Sequence, residues 1–160
     1  MIKMMRIPEE RISVLIGKNG QTKKQIEKMT KTKIIINDEI SISGDPINVM
    51  CAENIIRAIG RGFSPDIAKN LIDENKDLYI IVLPKNENKL KRIKSRIIGT
   101  KGKCRKKIEM FTKTYICVYG KTVSIIGEYD NIEKARKAIE KLINGVSHKN
   151  VYKFLESNDR

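Results

Sequence analysis

Two glycine pairs carry the sharpest chemical signal in this sequence: Gly17-Lys18-Asn19-Gly20 and Gly99-Thr100-Lys101-Gly102. Both interrupt stretches that otherwise read as helix, where a glycine costs about 1 kcal/mol relative to alanine. A single G-x-x-G is expected by chance in a chain of this length, and its plain reading is a helix C-cap followed by an eased turn. Here the surroundings are duplicated as well. "VLIGKNGQTKKQIEKMTKTKIII" (Val14 to Ile36) returns as "RIIGTKGKCRKKIEMFTKTYICV" (Arg96 to Val118), with Gly17 falling on Gly99, 82 residues later. Lys24 aligns with Lys106, Ile26-Glu27 with Ile108-Glu109, and Thr30-Lys31-Thr32 with Thr112-Lys113-Thr114. A loop without side chains lets a phosphate approach its backbone. A helix starting directly after it aims free N–H groups and a positive dipole end at the same anion. Lys18 and Lys101 add charge inside the loops. Lys103 and Arg105 open the helix after the second loop, where the first copy has Gln21 and Lys23.

The charge distribution points the same way. The 160-residue chain carries a net charge of +14. Residues 1–76 hold 13 Lys/Arg and 10 Asp/Glu, whereas residues 77–160 hold 20 and 9. Eleven basic residues and one acid, Glu87, lie between Lys85 and Lys107. A field this one-sided marks a polyanionic partner more often than a merely solvated face. A membrane surface would also attract it, but would leave the duplicated glycine loops unexplained. Neither loop fits the G-x-x-x-x-G-K-[ST] nucleotide-binding pattern, and no G-x-G-x-x-G occurs. His148, the only histidine, stands at the start of a tail helix, in a capping or surface position. An enzyme is therefore not expected, nor a cofactor or metal. The three cysteines, Cys51, Cys104 and Cys117, form no C-x-x-C, and Cys104 and Cys117 read as small core residues. With no apolar leader and no membrane span, a soluble, cytoplasmic protein is expected.

The elements that must position the loops repeat too. Residues 2–8 read as a strand and Glu9–Ile16 as a short helix. A second helix covers residues 21–31, with Thr22, Ile26 and Met29 as its apolar face, matched by Cys104, Ile108 and Phe111. Two β-branched runs follow as a hairpin, then a helix from Pro46 striped by Val49, Ala52, Ile56 and Ile59. The second copy repeats the order and ends on a helix striped by Ile132, Ala135, Ile139 and Leu142. Each half thus reads β-α-α-β-β-α, an α+β layer, with domains at 1–76 and 77–160. Ser64-Pro65 starts a connector helix, with Ala68, Leu71 and Ile72 expected to pack the halves together. Residues 147–157 form a C-terminal helix docked on the second half.

The order of elements, with "LIGKNGQTKKQIE" and "IIGTKGKCRKKIE" each followed by a Thr-x-Thr-x-Ile strand, resembles the type I KH domain, here in tandem. The resemblance implies a loop that clamps the backbone of about four unpaired nucleotides. It implies bases lying on an apolar floor from the first helix and the middle strand: Ile16, Ile34 and Ile36 in one copy, Ile98, Ile116 and Val118 in the other. Gly17, Lys18, Asn19, Gly20 and Lys23, and Arg96, Gly99, Thr100, Lys101, Gly102, Lys103, Arg105 and Lys106, complete the expected RNA-binding set. The connector "IRAIGRGFSPDIAKNLID", "VYGKTVSIIG" and the tail "HKNVYKFLE" narrow the match. Nearly the whole chain resembles the archaeal members of the partner-of-Nob family of small-subunit ribosome-assembly proteins. That implies binding of single-stranded RNA near the 3′ end of small-subunit rRNA and support for the Nob endonuclease that matures it. It also implies contact with the α subunit of translation initiation factor two. A general KH-type RNA-binding protein or RNA chaperone acting on other RNAs is the alternative. In eukaryotic relatives the first G-x-x-G is degenerate, while here it is intact, so RNA binding and protein docking both stand open for the first copy.

Overall fold

The computed structural model describes residues 1–157, and the chain divides into two compact units, Met1–Lys76 and Asp77–Arg160. In the first unit β1 (Ile2–Met5) and α1 (Glu9–Ile16) lead into a 3-10 turn over Lys18–Gly20. Then come α2 (Gln21–Thr30), β2 (Lys33–Ile36), β3 (Ile40–Ser43) and α3 (Pro46–Gly60). The short α4 (Pro65–Ala68) and a 3-10 turn over Lys69–Ile72 close the unit. The second unit runs β4 (Lys76–Val82), α5 (Glu87–Ile98), a 3-10 turn over Thr100–Gly102, α6 (Lys103–Thr112), β5 (Tyr115–Tyr119), β6 (Thr122–Glu128), α7 (Tyr129–Ile143) and α8 (His148–Ser157). Each unit is thus a β-α-α-β-β-α domain with its own three-stranded sheet, ordered β1-β3-β2 and β4-β6-β5.

The sheet order corrects one expectation. The strands beside the glycine loops, β2 and β5, are edge strands, and the hairpin partners β3 and β6 lie in the middle. Register is fixed by the buried face: Ile34 pairs with Ile42 and Ile116 with Ile125, and all four are core residues. A one-residue slip would turn them all outward. The helices close over that face through Leu15, Ile26, Ile56 and Ile59 in one unit and Ile97, Ile108, Ile139 and Leu142 in the other.

Three smaller expectations change. Met29 is exposed, and the apolar face of α2 closes instead through the buried Thr30, whose hydroxyl donates to the Ile26 carbonyl at 2.7 Å. Thr112 does the same to Ile108 in α6, also at 2.7 Å. Hydrogen bonding back to the i−4 carbonyl lets a threonine occupy the core without an unmet polar group. Cys117 lies off the core-facing register of β5 and is half-buried, whereas Cys104 is 1% exposed. The connector is a single helical turn plus a 3-10 turn, capped by Ser64 and docked on α2 and α3 of the first unit. Ala68 and Leu71 are buried there, but Ile72 is exposed. The tail helix α8 lies on α6 and α7 through Val151 and Leu155.

Candidate nucleic-acid interface

The two loops are near-identical in backbone. Gly17 and Gly99 both sit at φ 75°, Gly20 and Gly102 at φ 73° and 72°, and Asn19 and Lys101 at φ 55°. The glycines do different work. A Cβ on Gly99 would stand 2.7 Å from Cys104 Cβ and 2.9 Å from its backbone nitrogen, and one on Gly17 would meet Thr22 at 2.2 Å. The first glycine therefore lets the next helix pack against the loop. Around Gly20 there is open space, and a Cβ on Gly102 would make only an ordinary contact, so the second glycine serves its left-handed backbone. Each loop also closes on itself, with the amide of Gly20 donating to the Gly17 carbonyl at 3.2 Å and that of Gly102 to Gly99 at 3.1 Å.

The helices that follow start bare. The Gly20 and Gly102 caps provide no side-chain acceptor, and the first turns of α2 and α6 carry no acid. Their leading N–H groups and positive dipole end thus face outward beside the exposed Lys18 in one unit, and Lys101, Lys103 and Lys106 in the other. This arrangement accepts an anion from outside the chain.

Other expected residues have partners of their own. Lys23 pairs with Glu27 at 3.3 Å and Arg105 with Glu109 at 2.7 Å. The second oxygen of each carboxylate accepts the edge-strand amide: Ile34 N–H to Glu27 at 2.9 Å, Ile116 N–H to Glu109 at 2.8 Å. This duplicated latch ties the helix after the loop to the edge strand. Glu27 and Glu109 align in the sequence, but what they hold is set by the fold. Arg96 is likewise engaged, donating to the carbonyls of Leu142 and Val146 at the end of α7. In the first unit Arg11, from a non-equivalent position, donates to Ile59 and Phe63 at 2.8 Å. Cations there complement the negative helix end. His148 Nε2 donates to the Arg96 carbonyl at 2.9 Å.

The apolar floor is also narrower than expected. Ile34 is 1% exposed and Ile116 3%, so their side chains belong to the core and support the floor from below. Ile16, Ile36, Ile98 and Val118 are half-buried. In the first unit Ile16 borders two adjoining hollows. One of about 650 Å³ runs along α1 to Asn37 and Asp38, and one of about 370 Å³ lies over β2. In the second a hollow of about 330 Å³ follows Leu90, Lys94 and Ile98 along α5. Their rims differ in charge balance. The α1 hollow is lined by Glu9 and Asp38 with Arg6, which pairs with Glu39 at 3.1 Å, and the β2 hollow by Lys23, Lys33 and Glu27. By contrast, Lys91 and Lys94 line the second unit's hollow with a single acid, Glu87. Lys91 and Lys94 were not singled out from the sequence. Their i, i+3 spacing, with Ile98 four residues further on, was the available signal.

Residues 74–160 match the family described as the eukaryotic-type KH domain (KH-domain type I), and residues 2–58 match the KH domain family. A KH domain-containing protein of Methanocaldococcus jannaschii is 42% identical over 97% of this chain and 73% of its own length. Dim2p from Pyrococcus horikoshii superposes with a TM-score of 0.93 at 47% identity, over 99% of both chains. The chain belongs to the archaeal partner-of-Nob (Dim2) family of tandem KH proteins. A second structure from that organism, the a/eIF2alpha–aDim2p–rRNA complex, matches equally well, with TM-score 0.93 and 47% identity over 99% of this chain and 94% of the other. A protein of unknown function from Aeropyrum pernix matches with TM-score 0.96 at 35% identity, over all of this chain and 91% of its own. KH domains are RNA-binding modules, and the two loops stand where the KH backbone clamp belongs. Among the described residues no helix is long and apolar enough to cross a membrane.

Proposed function

We propose that this protein binds single-stranded RNA through its second KH domain, close to the 3′ end of small-subunit rRNA, and assists the maturation of that end during ribosome assembly in the cytoplasm. The carrying observation is the Gly99–Gly102 loop. It presents an acid-free helix start and a lysine-rimmed apolar hollow, in the unit that holds 20 of the 33 basic residues. In this reading Gly99, Thr100, Lys101 and Gly102 pass the RNA backbone over the N-terminus of α6. Lys103 and Lys106 neutralise its phosphates, and Ile98 and Val118 receive bases. The family relative that forms a complex with a/eIF2alpha and rRNA supports the RNA target. It also supports the α subunit of initiation factor two as a protein partner. The Nob endonuclease is the enzyme such binding would serve. The first loop, beside hollows of mixed charge, adds less to RNA affinity.

Crosslinking the purified protein to small-subunit rRNA and mapping the adducts tests the target. Adducts clustered at the 3′ end, made by peptides spanning Gly99–Gly102, are expected. Adducts scattered over unrelated RNAs would overturn the rRNA assignment in favour of a general RNA chaperone.

A further inference from the structure

The helix α5 carries more positive charge than the KH groove can use. With about 100° of turn per residue, Leu90, Ile93 and Ile97 form its inward stripe, and Lys91 and Lys94 flank the groove. Lys89, Arg92 and Arg96 fall on the opposite flank, about 180° from the groove side by the same geometry. There they line a separate hollow of about 350 Å³ against Leu142, Asn144 and Gly145 at the end of α7. Arg96 caps that helix end, but Lys89 and Arg92 are exposed.

The first unit is an internal control. By the 82-residue offset, Lys89, Lys91 and Arg92 stand where Ile7, Glu9 and Glu10 stand in the first copy. The counterpart helix there is shorter, Glu9–Ile16 against Glu87–Ile98, so Glu9 and Glu10 stand in its first turn and Ile7 lies ahead of it. At the two positions both helices share, one copy carries acids, so the fold does not call for cations at Lys91 and Arg92. Lys89 joins them on the turn that only α5 has, and their match is to an external polyanion.

We propose that this outer flank of α5, through Lys89 and Arg92, is a second phosphate-binding track for the RNA. Single-stranded backbone that leaves the groove crosses the top of α5 past Lys91 and continues over Arg92 and Lys89. The proposal rests on the groove reading above and extends the footprint beyond the roughly four nucleotides of a KH clamp. The track reads backbone charge and not sequence.

The test compares a five-nucleotide and a twelve-nucleotide single-stranded RNA on the full chain, with Lys89→Gln/Arg92→Gln set against a charge-matched control, Lys134→Gln/Lys137→Gln on α7. Losing two phosphate contacts should weaken the longer RNA roughly twenty-fold at 0.1 M salt and flatten its salt dependence by about 1.4 in log–log slope. Affinity for the short RNA should stay unchanged, and the control should bind both like the native chain. Equal losses on both lengths would place the cations in the groove and overturn the track. No loss on the longer RNA, or the same loss in the control, would reduce the patch to a solvated face and overturn it too. Failure of the native protein to bind the short RNA at all would overturn the groove reading, and the track with it.

Discussion

At the scale of single residues, the glycine pair has a structural and a functional half. Gly99→Ala would push a Cβ to 2.7 Å from Cys104 Cβ at φ 75°. It should destabilise the second domain by about 2–4 kcal/mol, the sum of overpacking and of a backbone conformation (φ 75°, ψ 175°) open essentially only to glycine. Gly102→Ala meets only the left-handed backbone cost, about 1–2 kcal/mol. Chemical denaturation of the two variants should show that order. The residues between them act on the ligand. Thr100 and Lys101 are both exposed, so Thr100→Asp with Lys101→Asp should leave the thermal melt within about 0.5 kcal/mol of native. Two acids against the α6 N-terminus should nevertheless remove most RNA binding. Unchanged affinity with an unchanged melt would exclude the site. The matching pair at Lys18 and Asn19 should cost less. Beneath the second loop, burial raises the Cys104 thiol above its ordinary range, partly offset by a hydrogen bond from Tyr152 and by the nearby Arg96 and Lys107 charges. Its thiolate fraction at neutral pH is small, so Cys104 should resist alkylation in the folded protein and react on unfolding.

At the scale of elements, the edge strand needs the acid of the neighbouring helix. Glu109 accepts from the Ile116 amide at 2.8 Å and from Arg105 at 2.7 Å. Glu109→Ala would leave a half-buried guanidinium and a strand amide without that carboxylate. A loss of about 1–3 kcal/mol is expected, measurable by urea unfolding. If stability were unaffected, the latch would be incidental to the fold. The opposite sign is expected where each such helix ends. Lys31 and Lys113 both adopt φ 55° at the C-caps of α2 and α6, a position glycine fills most easily. Lys113→Gly should therefore stabilise the second domain by about 0.5 kcal/mol, since relief of left-handed strain slightly exceeds the added chain entropy.

For the whole molecule, the sign of charge separates the two halves: 13 basic against 10 acidic residues in one, 20 against 9 in the other. RNA affinity should fall with salt by about 0.7 in log–log slope for each phosphate neutralised. Acidic substitution of the second loop should lower that slope, while substitution of the first should barely change it. Unpaired RNA should bind better than the same sequence held in a stem, because a groove lined by Ile98 and Leu90 needs a free base face. Equal affinity for stem and strand would indicate plain electrostatic adsorption.

The sequence by itself determined the duplication, the β-α-α-β-β-α order and the position of both loops. These are written in local signals: glycine spacing, apolar periodicity and a repeated Thr-x-Thr-x-Ile strand start. It also determined the charge asymmetry, which needs only counting. What it left undecided are pairings across the chain. Lys23 and Arg105, expected among the RNA ligands, also pair with Glu27 and Glu109, acids that hold strand amides as well, which no local signal shows. Arg96 likewise reaches the end of α7, nearly fifty residues on, a contact that only the fold makes. Ile34 and Ile116 were assigned to the floor together with Ile36 and Val118, which share their strand face, because the sequence does not say how far the helices cover that face. The packed helices bury the first of each pair and leave Ile36 and Val118 half-buried. A cation binds whichever acceptor lies nearest in space, and an isoleucine on a strand serves whichever layer covers it. Both are settled by distances that only the tertiary structure fixes.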